Sequence, residues 1–426
     1  MNAKNKLAAS PDQKLGDSGD RLSRINQVMQ KYISCGDIPG SVALVMRKGK
    51  IIHQEALGFM DIASKKPMSQ DCIFRMYSMT KPVTAVAVLM LYEEGRLMLD
   101  DPVSKFIPAF ANPAVIVAQP PKGKAKYWPP GRIYTERANR EVTIRDLLTH
   151  TAGLASPRLT PVAFATNLSD AIKGSLFFPH EDGTASPRIS IRETVEKLAK
   201  IPLSFQPGTC WQYGHEYDVL GVIVETISGE SLEEFFQEKV FAPLGMKETS
   251  FLLPKEKVNR LVTAYTWDES WKLRIYDRPR DSIKVAGPKD VFSGLGDYGG
   301  ILSTASDYMR FVRMLLNKGE LDGVRLLSPR TVELMTSNHT GDLFIYARGY
   351  GWGYGFSLGV RTDLTESISI GSVGTYGWGG AACTQFFVDP KEELIAIALS
   401  QVFGFGFKPG FSLDQEFEKA IYQALF

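Results

Sequence analysis

Two side chains three residues apart carry the first indication of chemistry in this sequence. Ser78 and Lys81 stand at the start of an apolar run over residues 82–92, which predicts a buried helix. Residues three apart share one face of a helix, so the hydroxyl and the amine can touch. A serine hydroxyl beside a desolvated amine can act as a nucleophile with its base. Taken alone, the same residues are more typical of a capping serine followed by a solvated lysine.

A second serine competes for the role of nucleophile. Ser357 lies in Gly-Phe-Ser-Leu-Gly, which matches the Gly-x-Ser-x-Gly elbow of α/β-hydrolases. That elbow needs a strand, a sharp turn and a helix, and its catalytic histidine follows the serine in the chain. Here residues 354–360 have the pattern of one continuous strand, and the last histidine is His339. We therefore expect Ser357 to be a non-catalytic strand residue.

Without a histidine partner, Ser78 and Lys81 need a further proton carrier. Tyr213 lies in a turn-rich loop that opens a predicted helix over 218–227. A nearby lysine cation would favour the charged form of its phenol, which could then accept and return a proton. From the pattern alone, Tyr213 is better described as a half-buried packing residue.

The remaining candidates have structural readings of similar weight. The glycines in residues 377–381 would let a ligand approach a strand closely, although a glycine bulge beside a core Trp378 is the alternative. We expect His150 to be a hydrogen-bonded structural residue at the end of a helix over 143–148. Nothing around the other three candidate histidines favours a catalytic role for them: His53, His180 and His339.

The overall composition is that of an ordinary globular protein. The chain has 426 residues, 44% hydrophobic and 23% charged, which is enough for two domains or one large one. Its net charge is +2 and its basic residues are dispersed, so it lacks the electrostatic signature of nucleic-acid binding. The first 20 residues contain no signal-like apolar run, and no run is long enough to span a bilayer. We expect a cytoplasmic protein that binds neither nucleic acid nor membrane.

The cysteines agree with that expectation. None of them stands in a Cys-x-x-Cys motif, and their spacing fits neither a disulfide framework nor a zinc site. We predict free thiols in a reducing compartment. The four positions are Cys35, Cys72, Cys210 and Cys383.

The elements that must position these residues fall into three stretches. Residues 1–98, of which 1–17 are predicted to be disordered, contain a helix, a β-hairpin and the helix after Lys81. Residues 99–289 contain short helices and two long loops, at 111–140 and 155–187, of the length typical of lids or binding walls. Residues 290–426 return to strands. We predict one discontinuous α/β lobe, 1–98 with 290–426, and an inserted helical lobe.

Finer predictions concern the last two stretches. Two further helices are expected in the inserted lobe, and the C-terminal stretch is expected to hold two helices and four strands. The predicted helices are 190–199, 232–240, 305–318 and 413–425, and the predicted strands are 354–360, 368–370, 384–388 and 394–399.

Taken together, the motifs resemble the serine β-lactamase-like hydrolases of the class C type, and within that group the family VIII carboxylesterases. The resemblance runs from about residue 25 to the C-terminus. It implies an α/β (α+β) fold in which helices flank a central antiparallel sheet beside an all-helical lobe. The motifs that carry it are Ser78-Met-Thr-Lys81, residues 143–154, Pro207-Gly208 with Tyr213, residues 243–246 and Trp378-Gly379-Gly380.

The resemblance also implies roles for particular residues. Ser78 would be the acylated nucleophile, Lys81 and Tyr213 the proton-handling pair, and the backbone N–H groups of Ser78 and Ala381 the oxyanion hole. Which of Lys81 and Tyr213 is the general base stays open. Neither a metal nor a cofactor is required. The residues expected to contact the substrate are Tyr77, His215, Trp378, Gly379 and Gly380.

Three departures from the β-lactamase pattern narrow the expected substrate. His215 replaces the asparagine of the Tyr-x-Asn motif, and Trp378 replaces the lysine of Lys-Thr-Gly, which removes a cation for a substrate carboxylate. The signal-like segment of a secreted resistance enzyme is also missing. We expect hydrolysis of short-acyl, uncharged, small-molecule esters through an acyl-enzyme on Ser78. The alternatives are an acyltransferase, a promiscuous β-lactamase, or a catalytically silent penicillin-binding-like module.

Overall fold

The structure is a computed structural model that describes residues 19–119, 132–154, 190–286, 300–367, 369–404, 406 and 408–425. In the part of the chain so described, the largest sheet has eight strands, all paired antiparallel, in the order β12-β13-β14-β15-β16-β1-β2-β3. Those strands are β1 (Gly40–Arg47), β2 (Lys50–Asp61), β3 (Lys66–Pro67), β12 (Trp352–Tyr354), β13 (Gly359–Arg361), β14 (Tyr376–Gly380), β15 (Thr384–Asp389) and β16 (Leu394–Leu399).

Shorter strands pair outside this sheet. They are β4 (Phe74–Arg75) with β9 (Leu302–Ser303), β5 (Ala114–Gln119) with β6 (Arg132–Arg137), β7 (Ala264–Trp267) with β8 (Leu273–Asp277), and β10 (Glu320–Leu321) with β11 (Val324–Arg325). The α-helices are α1 (Gly19–Ser34), α2 (Thr80–Glu93), α3 (Ile144–Leu148), α4 (Ile191–Leu198), α5 (Glu216–Ser228), α6 (Leu232–Phe235), α7 (Ile283–Ala286), α8 (Ala305–Leu316), α9 (Pro329–Met335) and α10 (Leu413–Ala424).

The central strands β1 and β16 are apolar on both faces because helices cover both faces of the sheet. Every residue of both strands is buried. Alternate side chains enter different cores, as the two-residue period of a strand requires. Leu44 and Ile397, which face each other in register, belong to the core around α2 and α8. Val45 and Ala396 belong to the core around α1 and α10.

Helix α2 is buried on all sides and carries the Ser78–Lys81 motif at its start. Its apolar residues surround the helix rather than forming one stripe, which is the pattern of a core helix. It packs against α5 and ends at Glu93, with Glu94 as the C-cap residue, followed by Gly95 at φ +70°. The prediction that Ser78 caps this helix is wrong. A 3-10 turn over Tyr77–Met79 precedes α2 and makes Met79 the N-cap residue, so Ser78 lies inside the turn.

Two strand predictions are also wrong. Residues 354–360 are not one strand, because β12 ends at Tyr354 and β13 begins at Gly359, with Ser357 in the turn between them at φ +72°. Residues 369 and 370 of the predicted strand 368–370 lie outside any strand, and residue 368 lies outside the described part. Conversely, β14 was not predicted as a strand, because three of its five residues are glycines, which weaken strand propensity.

Two further predictions change in detail. The helix expected over 232–240 is α-helical only to Phe235 and continues as a π-helical turn, Phe236–Phe241. The stretch 111–140, expected to be irregular, contains the β5–β6 hairpin. The lead 1–17, the loop 155–187 and His180 lie outside the described residues. The antiparallel sheet flanked by helices confirms the predicted fold class, while the division into two lobes stays a prediction.

Candidate active site

The start of α2 brings Ser78 and Lys81 into direct contact. The ammonium Nζ of Lys81 donates a hydrogen bond of 3.1 Å to Ser78 Oγ. Lys81 has no exposed surface and Ser78 is 7% exposed, so the pair lies at the boundary between the core and a cavity. Contact between a hydroxyl and a desolvated amine is the arrangement that an activated serine needs.

Tyr213 covers the same lysine. The Nζ of Lys81 lies 4.8 Å from the centre of the Tyr213 ring. The Tyr213 hydroxyl accepts a hydrogen bond of 3.4 Å from the indole Nε1 of Trp378. The loop is fixed by its backbone, because Tyr213 N–H donates to the hydroxyl of Tyr346 at 3.1 Å and Gln212 N–H donates to a carbonyl at 2.9 Å. Ser78 and Tyr213, which are far apart in sequence, therefore both contact the Lys81 amine, and Trp378 contacts Tyr213.

Strand β14 passes close to the turn that holds Ser78. A Cβ placed on Gly380 would lie 2.3 Å from the carbonyl oxygen of Met76, so no side chain fits there. Thr384, at the start of β15, donates to the same carbonyl at 3.3 Å. Ala381 follows β14 directly and lines the same cavity as Ser78. The backbone that is expected to form the oxyanion hole thus borders the nucleophile.

A cavity of about 610 Å³ opens in front of Ser78. Its walls include most of the residues expected at the site: Ser78, Tyr213, Trp378, Gly379, Gly380 and Ala381. Lys81 lies behind this wall, within the core. The rings of Tyr213 and Trp378 are 5.6 Å apart and narrow the space on one side.

The structure does not bring Tyr77 or His215 to the cavity wall. Tyr77 is 4% exposed and its ring packs against Phe403. His215 is also 4% exposed, and its Nδ1 lies 3.2 Å from the carboxylate of Asp218. Both were expected to contact the substrate because of the family resemblance, but their side chains turn into the core.

His150 lies directly against Tyr213, a position that sequence reasoning missed. The ring centres are 4.6 Å apart, and Nδ1 of His150 lies 2.6 Å from a carboxylate oxygen of Glu216. His150 and Glu216 are both fully buried. Burial is the largest cause that lowers the pKa of His150, and Glu216 opposes it. A neutral imidazole that donates Nδ1–H to the carboxylate satisfies this geometry. The sequence feature that could have indicated this position of His150 is Glu216, an acid three residues after Tyr213 that can pair with a histidine.

Ser357 does not belong to the site. It is fully buried in the β12–β13 turn, and its N–H donates to the carbonyl of Leu148 at 3.2 Å. The described cavity wall does not include it. The Gly-x-Ser-x-Gly pattern therefore marks a hairpin turn and not a nucleophile elbow.

The cavity also contains residues that no sequence motif indicated. Tyr346 and Arg348 lie in the loop before β12, Trp352 begins that strand, and Asp414 and Glu418 come from α10. Only the folded chain brings these two segments together.

The described residues contain neither a metal-binding cluster nor a membrane-spanning helix. No group of three or more His, Cys, Asp and Glu side chains in the described part of the chain could hold a metal ion. Among the helices described, none has both the length and the apolar character needed to cross a membrane.

Comparison with known proteins places this geometry in a family. A family model described as Beta-lactamase matches residues 25–416. Protein Rv1367c of Mycobacterium tuberculosis is 36% identical over 388 residues, which cover 88% of each chain. Esterase EstB of Burkholderia gladioli is 30% identical over 403 residues, which cover 90% of this chain and 91% of that protein.

A solved structure agrees in fold. EstCE1, described as a hydrolase with promiscuous acyltransferase activity, superposes with a TM-score of 0.74 at 27% identity, and the match covers 95% of this chain and 99% of that one. The family model and the solved structure therefore both match nearly the whole length of this chain. The chain belongs to the beta-lactamase family.

Proposed function

We propose that this protein is a serine carboxylesterase that hydrolyses short-acyl esters through an acyl-enzyme on Ser78. The observation that carries the proposal is the 3.1 Å contact between Lys81 Nζ and Ser78 Oγ at the wall of a cavity. The similarity to esterase EstB supports ester hydrolysis as the reaction. The residues assigned below are part of the proposal.

In the first half of the reaction, Ser78 Oγ attacks the ester carbonyl carbon and its proton passes to the Lys81–Tyr213 pair. The N–H groups of Ser78 and Ala381 donate to the oxyanion that forms. In related chemistry, each such donor contributes roughly 3 kcal/mol of transition-state stabilisation. The bond to the alcohol breaks, and the same pair returns the proton to the leaving oxygen.

In the second half, a water molecule takes the place of the alcohol. It attacks the acyl carbon while the Lys81–Tyr213 pair accepts a proton, and the bond to Ser78 Oγ breaks as that oxygen is reprotonated. The carboxylic acid then leaves, and the enzyme returns to its starting state. Lys81 touches Ser78 Oγ directly, whereas the Tyr213 hydroxyl bonds to Trp378 beside the cavity. This arrangement suits proton exchange at Oγ through Lys81 and at the leaving group through Tyr213.

The preference for short acyl groups follows from the cavity wall. The Tyr213 and Trp378 rings pack against each other, with their centres 5.6 Å apart, and place two bulky side chains in the wall that Ser78 shares. A series of p-nitrophenyl esters from acetate to octanoate tests this, with kcat/KM expected to be highest at four carbons or fewer. Activity that rises steadily to octanoate would contradict the size preference but leave the chemistry intact. Nitrocefin in the same series measures β-lactam opening, which we expect to be far slower.

Acyl transfer is the second candidate, because EstCE1 is described as having promiscuous acyltransferase activity. Transfer differs from hydrolysis only in the nucleophile that attacks the acyl-enzyme. Adding an alcohol to an ester assay and measuring the new ester against free acid separates the two. More acid than new ester at moderate alcohol concentration supports the hydrolase, and the reverse ratio supports the transferase.

We also infer that the protein works in a reducing compartment, the cytoplasm. All four cysteines lie in the described residues and are free thiols, and two of them, Cys35 and Cys210, are exposed. Exposed thiols persist where glutathione keeps them reduced. Cell fractionation with activity measurement tests this inference, since recovery of the activity outside the cytoplasm would contradict it.

A further inference from the structure

The cavity in front of Ser78 contains a cation that the sequence motifs did not reveal. The guanidinium carbon of Arg348 lies 5.0 Å from the ring centre of Trp378 and 5.3 Å from that of Trp352. Its Nη2 donates a hydrogen bond of 3.0 Å to the carbonyl of Gly377. Contact with two indoles and one carbonyl fixes the orientation of the guanidinium group, so its remaining N–H donors have a defined direction.

Trp378 connects this cation to the catalytic groups. One part of the indole contacts Arg348, while its Nε1 donates to the Tyr213 hydroxyl at 3.4 Å. The Tyr213 ring in turn lies over Lys81, which bonds to Ser78. A single side chain therefore separates the cation from the proton-handling tyrosine. A substrate a few bonds longer than the ester group can reach both.

The chain leaves space for this arginine. Gly359 and Gly377 are paired across β13 and β14. A Cβ on Gly359 would lie 2.9 Å from Nε of Arg348, so a side chain there would displace the guanidinium group. The absence of a side chain at this position lets Arg348 cross the sheet to Gly377.

Arg348 lacks a carboxylate partner within the described part of the chain. No described acidic oxygen lies within 4.0 Å of its guanidinium group. Glu418, a half-buried acid nearby on α10, is paired instead with the buried Arg361 at 2.7 Å. Asp414 on the same helix is exposed to water, which screens its charge. Burial is the largest cause that lowers the pKa of Arg348, as expected for a partly desolvated cation without a direct counter-ion.

We propose that Arg348 binds a carboxylate carried by the substrate, so that the preferred substrates are half-esters with an ester at one end and an anion at the other. This rests on the proposed ester hydrolysis and adds the substrate class. Guanidinium and carboxylate groups form paired, charge-assisted hydrogen bonds, which are strong in a partly desolvated site. The expectation of uncharged esters rested in part on the lysine that Trp378 replaces, and Arg348 supplies a cation from another segment.

Matched pairs of esters test the proposal. The mono-p-nitrophenyl ester of glutaric acid carries the anion on the acyl side, and its methyl ester is the neutral match. In a second pair, 4-acetoxybenzoate carries the anion on the alcohol side, with its methyl ester as the neutral match. We expect the wild type to prefer the anionic member of at least one pair by tenfold or more in kcat/KM, and the pair that responds identifies the side.

Three variants separate charge from packing. Arg348→Met keeps a long apolar side chain between the indoles but removes the cation, and should lower kcat/KM for the anionic member of the pair at least tenfold more than for the neutral member. Arg348→Lys keeps a charge and should retain part of the preference. Arg330→Met removes an exposed surface arginine with a side chain 91% exposed and should leave both rates unchanged.

Two results would overturn the proposal while leaving ester hydrolysis intact. One is equal loss of both members of a pair in Arg348→Met, which would make the arginine a support for Trp378. The other is a wild-type preference for the neutral member of both pairs, or for a trimethylammonium ester, which would assign control to Asp414.

A binding measurement keeps the test independent of turnover. Monomethyl glutarate should raise the thermal unfolding midpoint of the wild type and of Ser78→Ala, but not that of Arg348→Met. If no ester is hydrolysed but this shift occurs, the proposed reaction fails and the anion site stands. If esters are hydrolysed and no shift occurs in either protein at millimolar ligand, the anion site fails and the reaction stands.

Discussion

Two short serine motifs in this chain have opposite fates. Ser78-x-x-Lys81 begins a buried helix, and its hydroxyl accepts a hydrogen bond from an amine at the wall of a 610 Å³ cavity. Gly-x-Ser357-x-Gly forms a hairpin turn, and its serine is sealed against the carbonyl of Leu148. Judged by motif alone, the second is the better-known signature of a nucleophile. Contact with Lys81 and a place in the cavity wall distinguish Ser78 from Ser357, and the sequence pattern does not.

The two motifs also differ in which residue has a left-handed backbone conformation. Ser357 has φ +72°, a left-handed conformation that a turn between two short strands imposes. A strained serine is usual in a nucleophile elbow, but here strand β13 and not a helix follows it, and the wall of the described cavity does not include it. At the other motif, it is Tyr77, immediately before the nucleophile, that has φ +48°. That bend begins the 3-10 turn, Tyr77–Met79, that carries Ser78.

The largest expected effect is that of Ser78→Ala. Loss of the nucleophile should lower kcat on p-nitrophenyl butyrate by about 10⁴-fold or more, since the remaining groups can no longer form an acyl-enzyme. A steady-state assay on protein checked for native circular dichroism measures it. Retention of more than a tenth of the wild-type activity would break the assignment of Ser78.

Lys81→Met should have the next largest effect. Methionine matches the length of the lysine and tolerates burial, so the helix should still fold, but Ser78 loses the group that bonds to its hydroxyl. We expect a fall in kcat of about 10³-fold, within the range for a general acid–base residue. A marked fall in the thermal unfolding midpoint together with the loss of activity would indicate a structural role for Lys81 instead. The midpoint must therefore be recorded alongside kcat.

Tyr213→Phe should lower kcat by about 10²-fold, because the ring that covers Lys81 remains and only the hydroxyl is lost. The loss should be smaller for p-nitrophenyl esters than for ethyl esters, since an activated leaving group needs less help from a proton. Measuring both substrates separates leaving-group protonation from activation of the nucleophile. An identical loss on both esters would assign the hydroxyl to the nucleophile instead.

The buried pair beneath Tyr213 predicts a pH effect on stability. The pKa of His150 is lowered in the folded protein, mainly by burial. As the pH falls below the ordinary value of 6.5, the unfolded chain binds a proton at this imidazole and the folded chain does not, so stability decreases. His150→Gln keeps an N–H donor for Glu216 but cannot titrate. Urea unfolding at pH 7.5 and pH 5 should show a smaller acid loss in the variant, and an equal loss in both proteins would contradict this reading.

The smallest effect is expected at the other motif. Ser357→Ala should leave kcat and KM within about twofold of the wild type, because the cavity wall does not include Ser357. A drop in stability of up to about 1 kcal/mol is expected from the changed contacts of a buried hydroxyl. A loss of activity above tenfold, at unchanged unfolding midpoint, would show that Ser357 takes part in catalysis and that the two motifs do not differ in this respect.

Local patterns predicted the elements that depend on local residues. The continuous apolar runs of α2 and β16 are typical of elements that are buried on all sides, so these runs located both elements in the sequence. The fold class and the contact between Ser78 and Lys81 followed from short-range spacing together with the family resemblance. Strand β14 escaped prediction, since its glycines form a strand only because neighbours on both sides pair with it.

Contacts between distant segments could not be predicted in this way. Arg348 and Glu418 reach the cavity from regions 70 residues apart, and nothing in either local sequence points to the other. His215 was expected at the substrate because it stands at the asparagine position of the Tyr-x-Asn motif, yet its side chain lies against Asp218 in the first turn of α5. His150 was placed correctly in a buried hydrogen bond, but its contact with Tyr213 depends on how α3 meets α5.

The most direct test of the account is to identify which serine reacts. The protein is treated with a fluorophosphonate probe, digested, and mapped by mass spectrometry, with Ser78→Ala and Ser357→Ala in parallel. We expect a single adduct, on the peptide that contains Ser78. The same adduct should form in Ser357→Ala, and no adduct should form in Ser78→Ala. An adduct on Ser357, or ester hydrolysis that persists with no adduct on Ser78, would contradict it.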